Sequence, residues 1–380
     1  MPEPRPFDTA YTRFGIPFSA GLTHFPESAS VELVEEMLRE EAELPSIGRE
    51  RFSGTLAQRN AYWREYAAFI TQARSYLNAA SLMKDHTSAL LYYYAAMNLA
   101  KAELIKHDQS TPLGFKWMHG LTHRTDTSVK AIRDSVSAQV DGVFPRLYEK
   151  RTGTSLGRRS IPVTKIIRNI PEISSQAGAA GFGPSTNSDV CAALLLDDNE
   201  AWSIVGILDL ISASNTATMR AINRSFKAVD STPMLGQILG IRPNHLRYFK
   251  FFESRLKVAH GTSEGSRDAA LDRVSVDLVA ATSGLIESSV NSRPNFTLTA
   301  SALSSENVPL PPSLARYAAF FYGSSVVRYR PTRLSASFDP EANYLFDALC
   351  RESVLPLMLD ALVGLRGVTV GFSPEPSFVA

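Results

Sequence analysis

The stretch ALLYYYAAMNLAKAELI, Ala89 to Ile105, decides how the rest of the chain reads. It is apolar nearly all round until Lys101, with Asn98 the only polar side chain before it, which is the pattern of a helix enclosed on every side. Tyr92, Tyr93 and Tyr94 read as core packing with satisfied hydroxyls rather than as an aromatic ligand box. Such a helix belongs at the centre of a helical body, with Asp85 or Thr87 as its N-cap.

Outward from it, Asn60 to Met83 predicts an amphipathic partner, since Tyr62, Tyr66, Phe69, Ala73, Tyr76 and Ala80 recur at three- and four-residue spacing. Upstream, Val31 to Leu44 predicts a helix ended by Pro45, its glutamates Glu32, Glu35, Glu36, Glu40, Glu41 and Glu43 forming a solvated face. Residues 1–30 read as an irregular arm. Towards the carboxy end, Pro311-Pro312 precede LARYAAFFYGSSVVRY, with Leu314, Ala318, Phe321 and Ser325 on one stripe and Pro331 as the stop. Asp339-Pro340 then opens a long helix, Glu341 to Leu365, kinked at Pro356.

The middle is mixed. Met118 to Arg124 reads as a turn or short connection, and Ser135 to Val140, Asp272 to Leu278 and Phe296 to Ala300 as strands. Cys191 to Leu196 and Trp202 to Leu208 flank a hairpin turn at Asp197-Asp198, and Ser174 to Ser188 is the expected mobile loop. The predicted fold is α+β, mostly α: a bundle of N- and C-terminal helices around a mixed α/β insertion. Its expected divisions are 1–55, 56–110, 111–310 and 311–380.

The 380 residues carry a formal net charge of +1, which excludes a polyanion-binding surface spread over the whole protein and leaves only a local one. Cys191 and Cys350 are too few and too far apart for a disulfide framework or a structural zinc site. No charged segment leading into an apolar run and no window of membrane-spanning length is evident, so the expected location is the cytoplasm. GxxxxGK[ST], GxGxxG and GxSxG patterns are absent, and no cofactor is expected.

SALLYYYAAMNLAKAEL (Ser88 to Leu104), MHGLTHR (Met118 to Arg124), VDGVF (Val140 to Phe144), IPVTKIIRNIPEI (Ile161 to Ile173) and LARYAAFFYGSSVVRYRPTRL (Leu314 to Leu334) together resemble the YaaC-like family of bacterial proteins. That resemblance implies a family of unestablished activity. The YYYAAMNLAKAEL helix followed by a His-Gly also resembles the HEPN superfamily, which implies a helical bundle that is either a toxin or antiphage-defence ribonuclease or a noncatalytic, partner- or nucleotide-binding member, with a homodimer as the assembly.

Three groups of residues are candidates for chemistry. Arg255 and His260 fit the Arg-x4-His pattern of HEPN ribonucleases, in which the histidine moves a proton and the arginine stabilises phosphate charge without a metal. His119, His123 and Arg124, with Arg328 and Arg330, are candidate ligand-binding residues; His119 and His123 lack the third ligand that a metal site needs. Arg146, Lys150, Arg151, Arg158, Arg159, Lys165 and Arg168 form a basic segment suited to RNA or DNA phosphates. The first expectation is a noncatalytic binding or regulatory protein; the others are a ribonuclease and a nucleic-acid-binding accessory protein.

Overall fold

The computed structural model describes residues 8–11, 23–26, 31–83, 85–124, 128–183, 188–208, 222–239, 241, 243–282, 286–290, 294–298, 310–366 and 370–373. The chain forms two compact units, one of Ala29–Ser185 with Leu310–Gly367, the other of Met1–Ser28, Thr186–Pro309 and Val368–Ala380. The fold is α+β with helix predominating.

The first unit holds seven principal helices: α1 (Val31–Glu43), α2 (Leu56–Ser81), α3 (Ala89–His107), α4 (Val143–Thr152), α5 (Pro312–Tyr329), α6 (Pro340–Glu352) and α7 (Val354–Arg366). Helix α3 packs against α2, α4, α5 and α7, as an all-round apolar helix must. Tyr92 meets Phe320 of α5 at 5.2 Å between ring centroids and Tyr93 meets Phe321 at 5.4 Å, all four buried. Burying each such ring contributes roughly 2–3 kcal/mol. Asp85 caps the short turn His86–Ser88, and α3 continues directly from that turn. Helix α2 starts at Leu56, before the expected Asn60, because Thr55 and Gln58 form a reciprocal capping box.

Three expectations for this unit need correction. The long C-terminal helix is two helices, parted at Ser353: Pro356 has no N–H for the Glu352 carbonyl and its ring crowds that carbonyl, so α6 ends at Glu352 and α7 restarts at Val354. Ser174 to Ser188 is not all loop. Ser174–Ala179 is helical, and Phe182 is buried with its N–H on the Ala177 carbonyl; residues 184–187 lie outside the described residues. The acidic face of α1 is not wholly solvated either, since Glu41 is fully buried. Arg51 grips both its oxygens at 3.0 and 2.6 Å, Arg366 donates at 2.9 Å and the Tyr66 hydroxyl at 3.0 Å.

In the second unit, a sheet runs in the order Ile286–Val290, Pro294–Leu298, Ser188–Leu196, Glu200–Leu208, Phe249–Ser254, Phe226–Val229, antiparallel throughout. The expected hairpin is its centre, with Val190 opposite Ile207 and Leu196 opposite Ala201. Its run of apolar residues follows from burial on both faces: Ala192, Leu194 and Val205 pack with the helix Glu264–Thr282, whereas Ala193, Leu195 and Ile204 pack with Leu235, Leu239 and Phe251. Asp272 to Leu278, expected as a strand, belongs to that helix. Val274 and Leu278 fit both periods, but Ala270, Leu271, Val274 and Leu278 are buried together while Val276 is 61% exposed, the signature of a helical stripe. Of the N-terminal arm, Asp8–Tyr11 pairs with Ser188–Leu196 and Thr23–Pro26 with Val370–Ser373; the remainder lies outside the described residues, as do residues 299 and 300 of the expected last strand. Among the described residues no helix is long and apolar enough to cross a membrane.

Candidate functional site

Two of the sequence motifs meet at Gly120 and Gly142. Gly120 has φ +77° and Gly142 φ +125°, conformations that favour glycine, and a Cβ on Gly142 would lie 2.5 Å from Gly120 Cα. A Cβ on Gly120 would lie 2.3 Å from Pro145. This approach lets the Met118 and His119 carbonyls accept the N–H groups of Val143 and Phe144, at 2.8 and 3.2 Å, in the first turn of α4. The segment before Gly120 is thereby docked on α4, and its side chains help to form two distinct surfaces.

The first surface is an open cleft of about 660 Å3. The end of α3 and the turn after it contribute Leu104, His107, Asp108 and Thr111; the docked segment contributes Trp117; α4 contributes Arg146, Glu149 and Lys150. Arg146 is held by Asp141 at 2.7 Å and lies over the rings of Phe115 and Trp117, at 5.1 and 5.9 Å from their centroids. The Asp141 partnership raises the arginine above its ordinary value. Burial, with Lys150 next, lowers His107, which favours its neutral imidazole. Trp117 Nε1 is buried and has no acceptor among the described residues, although buried indole N–H groups ordinarily find one.

His119, on the same segment, faces the other way along α3. Tyr93 Oη lies 2.6 Å from its Nδ1, and Arg328 of α5 donates to the Tyr94 hydroxyl at 3.3 Å. The structure thus brings His119 and Arg328 to one neighbourhood. His123 goes elsewhere. Its Nε2 lies 3.0 Å from Asp134 and its Nδ1 3.1 Å from Ser325 Oγ, in a cluster completed by Tyr322 and Arg333. The order serine, histidine, aspartate invites comparison with a hydrolase triad. His123 has a fully buried side chain and Ser325 is 3% exposed, however, so no substrate reaches the hydroxyl and the array ties α5 to the segment around Asp134. Burial pushes Asp134 up, but its bonds to His123 and Arg333 outweigh this and hold it at about 2. Arg124 and Arg330 are exposed. Among the described residues no group of three or more His, Cys, Asp or Glu is arranged to hold a metal.

The basic segment does not act as one patch. Arg146 and Lys150 line the cleft, whereas Arg151 is turned inward onto Glu103, 2.6 Å away and 3% exposed, and onto the Asp360 carbonyl. Arg151 is thus part-buried and paired, unlike the exposed Arg158. Arg159 donates to the Leu156 carbonyl at 2.9 Å, Arg158 is exposed, and Lys165 and Arg168 sit part-buried on the short helix Val163–Arg168. In the second unit, Arg255 follows a strand and His260 follows the two-residue strand Val258–Ala259, so the Arg-x4-His pattern is not helical here. Arg255 Nε donates to the Asn223 carbonyl at 3.3 Å, and the His260 ring lies between the Gly261 and Asp197 carbonyls at 2.8 and 2.9 Å.

A family model described as YaaC-like Protein matches residues 44–352, most of the chain. The chain belongs to the YaaC-like family. No curated protein and no solved structure matches it. The family span takes in α2 to α6, the Gly120–Gly142 docking and every residue of the cleft. Sequence reasoning missed Trp117, His107, Tyr94 and Lys101. The available signal was the helical stripe Tyr93, Met97, Lys101, Leu104, Asp108, whose three- and four-residue steps carry polar groups out of an otherwise apolar helix.

Proposed function

We propose that this YaaC-like protein is a noncatalytic binding protein on a HEPN-like helical bundle, and that its ligand is a small molecule carrying both charges, of amino-acid or dipeptide size, held in the cleft between the end of α3 and α4. The observation that carries this reading is the lining: Lys150 and Glu149 adjoin on α4, Thr111 and His107 add polar groups, and Trp117 holds an N–H with no acceptor among the described residues. A volume of about 660 Å3 falls within the range of small-ligand sites, which is roughly 300–1,000 Å3.

Charge balance favours a zwitterion over a nucleic acid. Arg146 and Lys150 are offset by Asp108 and Glu149 within the lining, and Arg146 is already paired with Asp141. A polyanion needs uncompensated cations along its backbone. A carboxylate meets Lys150, an ammonium meets Glu149, and a carbonyl of the ligand accepts from Trp117 once the Arg146 guanidinium above the ring moves aside.

Calorimetric titration of the full chain with the free L-amino acids and a set of dipeptides tests this. Saturable binding that is weakened about tenfold by both Lys150→Ala and Glu149→Gln supports the reading. Absence of binding across the set, or binding that neither substitution alters, contradicts it.

A further inference from the structure

Lys101 is the first charged residue of the central helix. It is part-buried, its Nζ lies 5.1 Å over the Phe69 ring, and it forms no ion pair among the described residues. Burial lowers its ordinary value, and among the described residues no carboxylate opposes this. A lysine that gives up hydration on an apolar helix and gains no counter-ion has a net cost unless an anion comes from outside.

Two further side chains, a guanidinium and an imidazole, approach from other elements. Arg328 of α5 donates to Tyr94 on α3, and Tyr94 in turn stacks on Tyr76 of α2 at 5.4 Å, which fixes the arginine's position. His119 comes from the docked segment, its Nδ1 3.2 Å from the sulfur of Met97, one helical turn before Lys101, and burial first and then the charges of Arg328 and Lys101 lower it. Among the described residues no carboxylate acts on it. Tyr93 Oη and His119 Nδ1 share a hydrogen bond at 2.6 Å; with the phenol as donor, a neutral ring carries its proton on Nε2, which has no partner among the described residues. Arg328, like Lys101, forms no ion pair among the described residues, and His119 and Arg328 are both exposed.

We infer that Lys101, His119 Nε2 and Arg328 form a binding site for a phosphate-type oxyanion, separate from the zwitterion cleft at Trp117. Two permanent positive charges and one neutral N–H donor from three elements match a dianion with several acceptor oxygens. A monocarboxylate leaves one cation uncompensated. The stacked Tyr94 and Tyr76 rings border the site and hold its donors in place without competing for the anion.

The imidazole resonances of His119 in the full chain read this directly. Inorganic phosphate is expected to shift them saturably at constant ionic strength while chloride does not, and O-phosphoserine in a parallel titration distinguishes a phosphate monoester from free phosphate as the preferred source. Lys101→Met keeps the apolar stem, and Arg328→Met alters an exposed side chain. Each is expected to weaken binding about tenfold, whereas Trp117→Phe leaves it unchanged, which separates this site from the cleft. No saturable shift with either phosphate compound up to about 20 mM, an equal shift with chloride, or wild-type affinity in folded Arg328→Met overturns the inference.

Discussion

The guanidinium of Arg316, on α5, donates to both carboxylate oxygens of Glu172, at 2.6 and 3.2 Å, with side-chain exposures of 0% and 2%. Arg316 also bonds Asp360 of α7, and Ser353, at the break between α6 and α7, donates to Glu172 at 2.7 Å. The network extends through the Asp360 carbonyl to Arg151 and Glu103. Each buried charge is paired, and the pairs join five segments of the first unit. Removing one partner from such a set leaves the others charged in a low-dielectric interior, which costs more than the pair itself contributes.

Arg316→Met is therefore expected to destabilise the first unit by about 3–5 kcal/mol, and the double variant Arg316→Met/Glu172→Gln by less than the two single effects added together. Urea unfolding followed by circular dichroism measures both. A loss under about 1 kcal/mol for the single variant refutes the assignment of Arg316 as the centre of the network.

Acid stability follows from Asp134. Its folded value of about 2 lies below the ordinary 3.8, so the contribution is present above pH 4 and is lost as pH falls towards 2. The shift corresponds to about 1–2 kcal/mol after allowance for the side chain's partial exposure. Stability measured between pH 5 and 2 should fall more steeply for the wild type than for Asp134→Asn; parallel curves contradict the pairing with His123 and Arg333.

Gly120→Ala tests the docking of the segment before α4. A Cβ at φ +77° against Pro145 is expected to cost about 1–3 kcal/mol and to displace Trp117, changing its fluorescence. Unchanged stability and an unchanged emission spectrum would mean that the Gly120–Gly142 approach does not position the cleft.

The Arg-x4-His pattern bears on toxicity. Because both side chains are directed at backbone carbonyls, His260→Ala and the wild type are expected to give equal growth and equal RNA integrity on expression. RNA loss with the wild type that His260→Ala abolishes would restore the ribonuclease reading.

The helical half of this fold was legible because α3, α2 and α5 announce themselves by composition and by long three-to-four periodicity. Legibility failed where two periods coincide, as from Val274 to Leu278, and where one residue governs a break, as at Pro356. It failed again at Glu41, since the partners that bury it, Arg51, Tyr66 and Arg366, lie up to 325 positions away in the chain. The candidate surfaces were legible by halves. Arg146, Lys150, His119 and Arg328 stand out as cations, but Trp117 and Lys101 acquire meaning only when the Gly120–Gly142 contact lays one segment beside another. Arg151, indistinguishable from its neighbours in sequence, is part-buried and pairs with Glu103, 48 positions earlier.

The most direct test of the central claim is a fluorine NMR titration of the full chain labelled with 5-fluorotryptophan. Trp63, Trp117 and Trp202 give three resonances, assigned by single Trp→Phe substitutions. With a dipeptide or amino acid that binds, the Trp117 resonance is predicted to move saturably while Trp63 and Trp202 stay in place. A Trp117 resonance that remains fixed across the whole set, or ligand-induced shifts confined to the other two tryptophans, contradicts binding in the cleft.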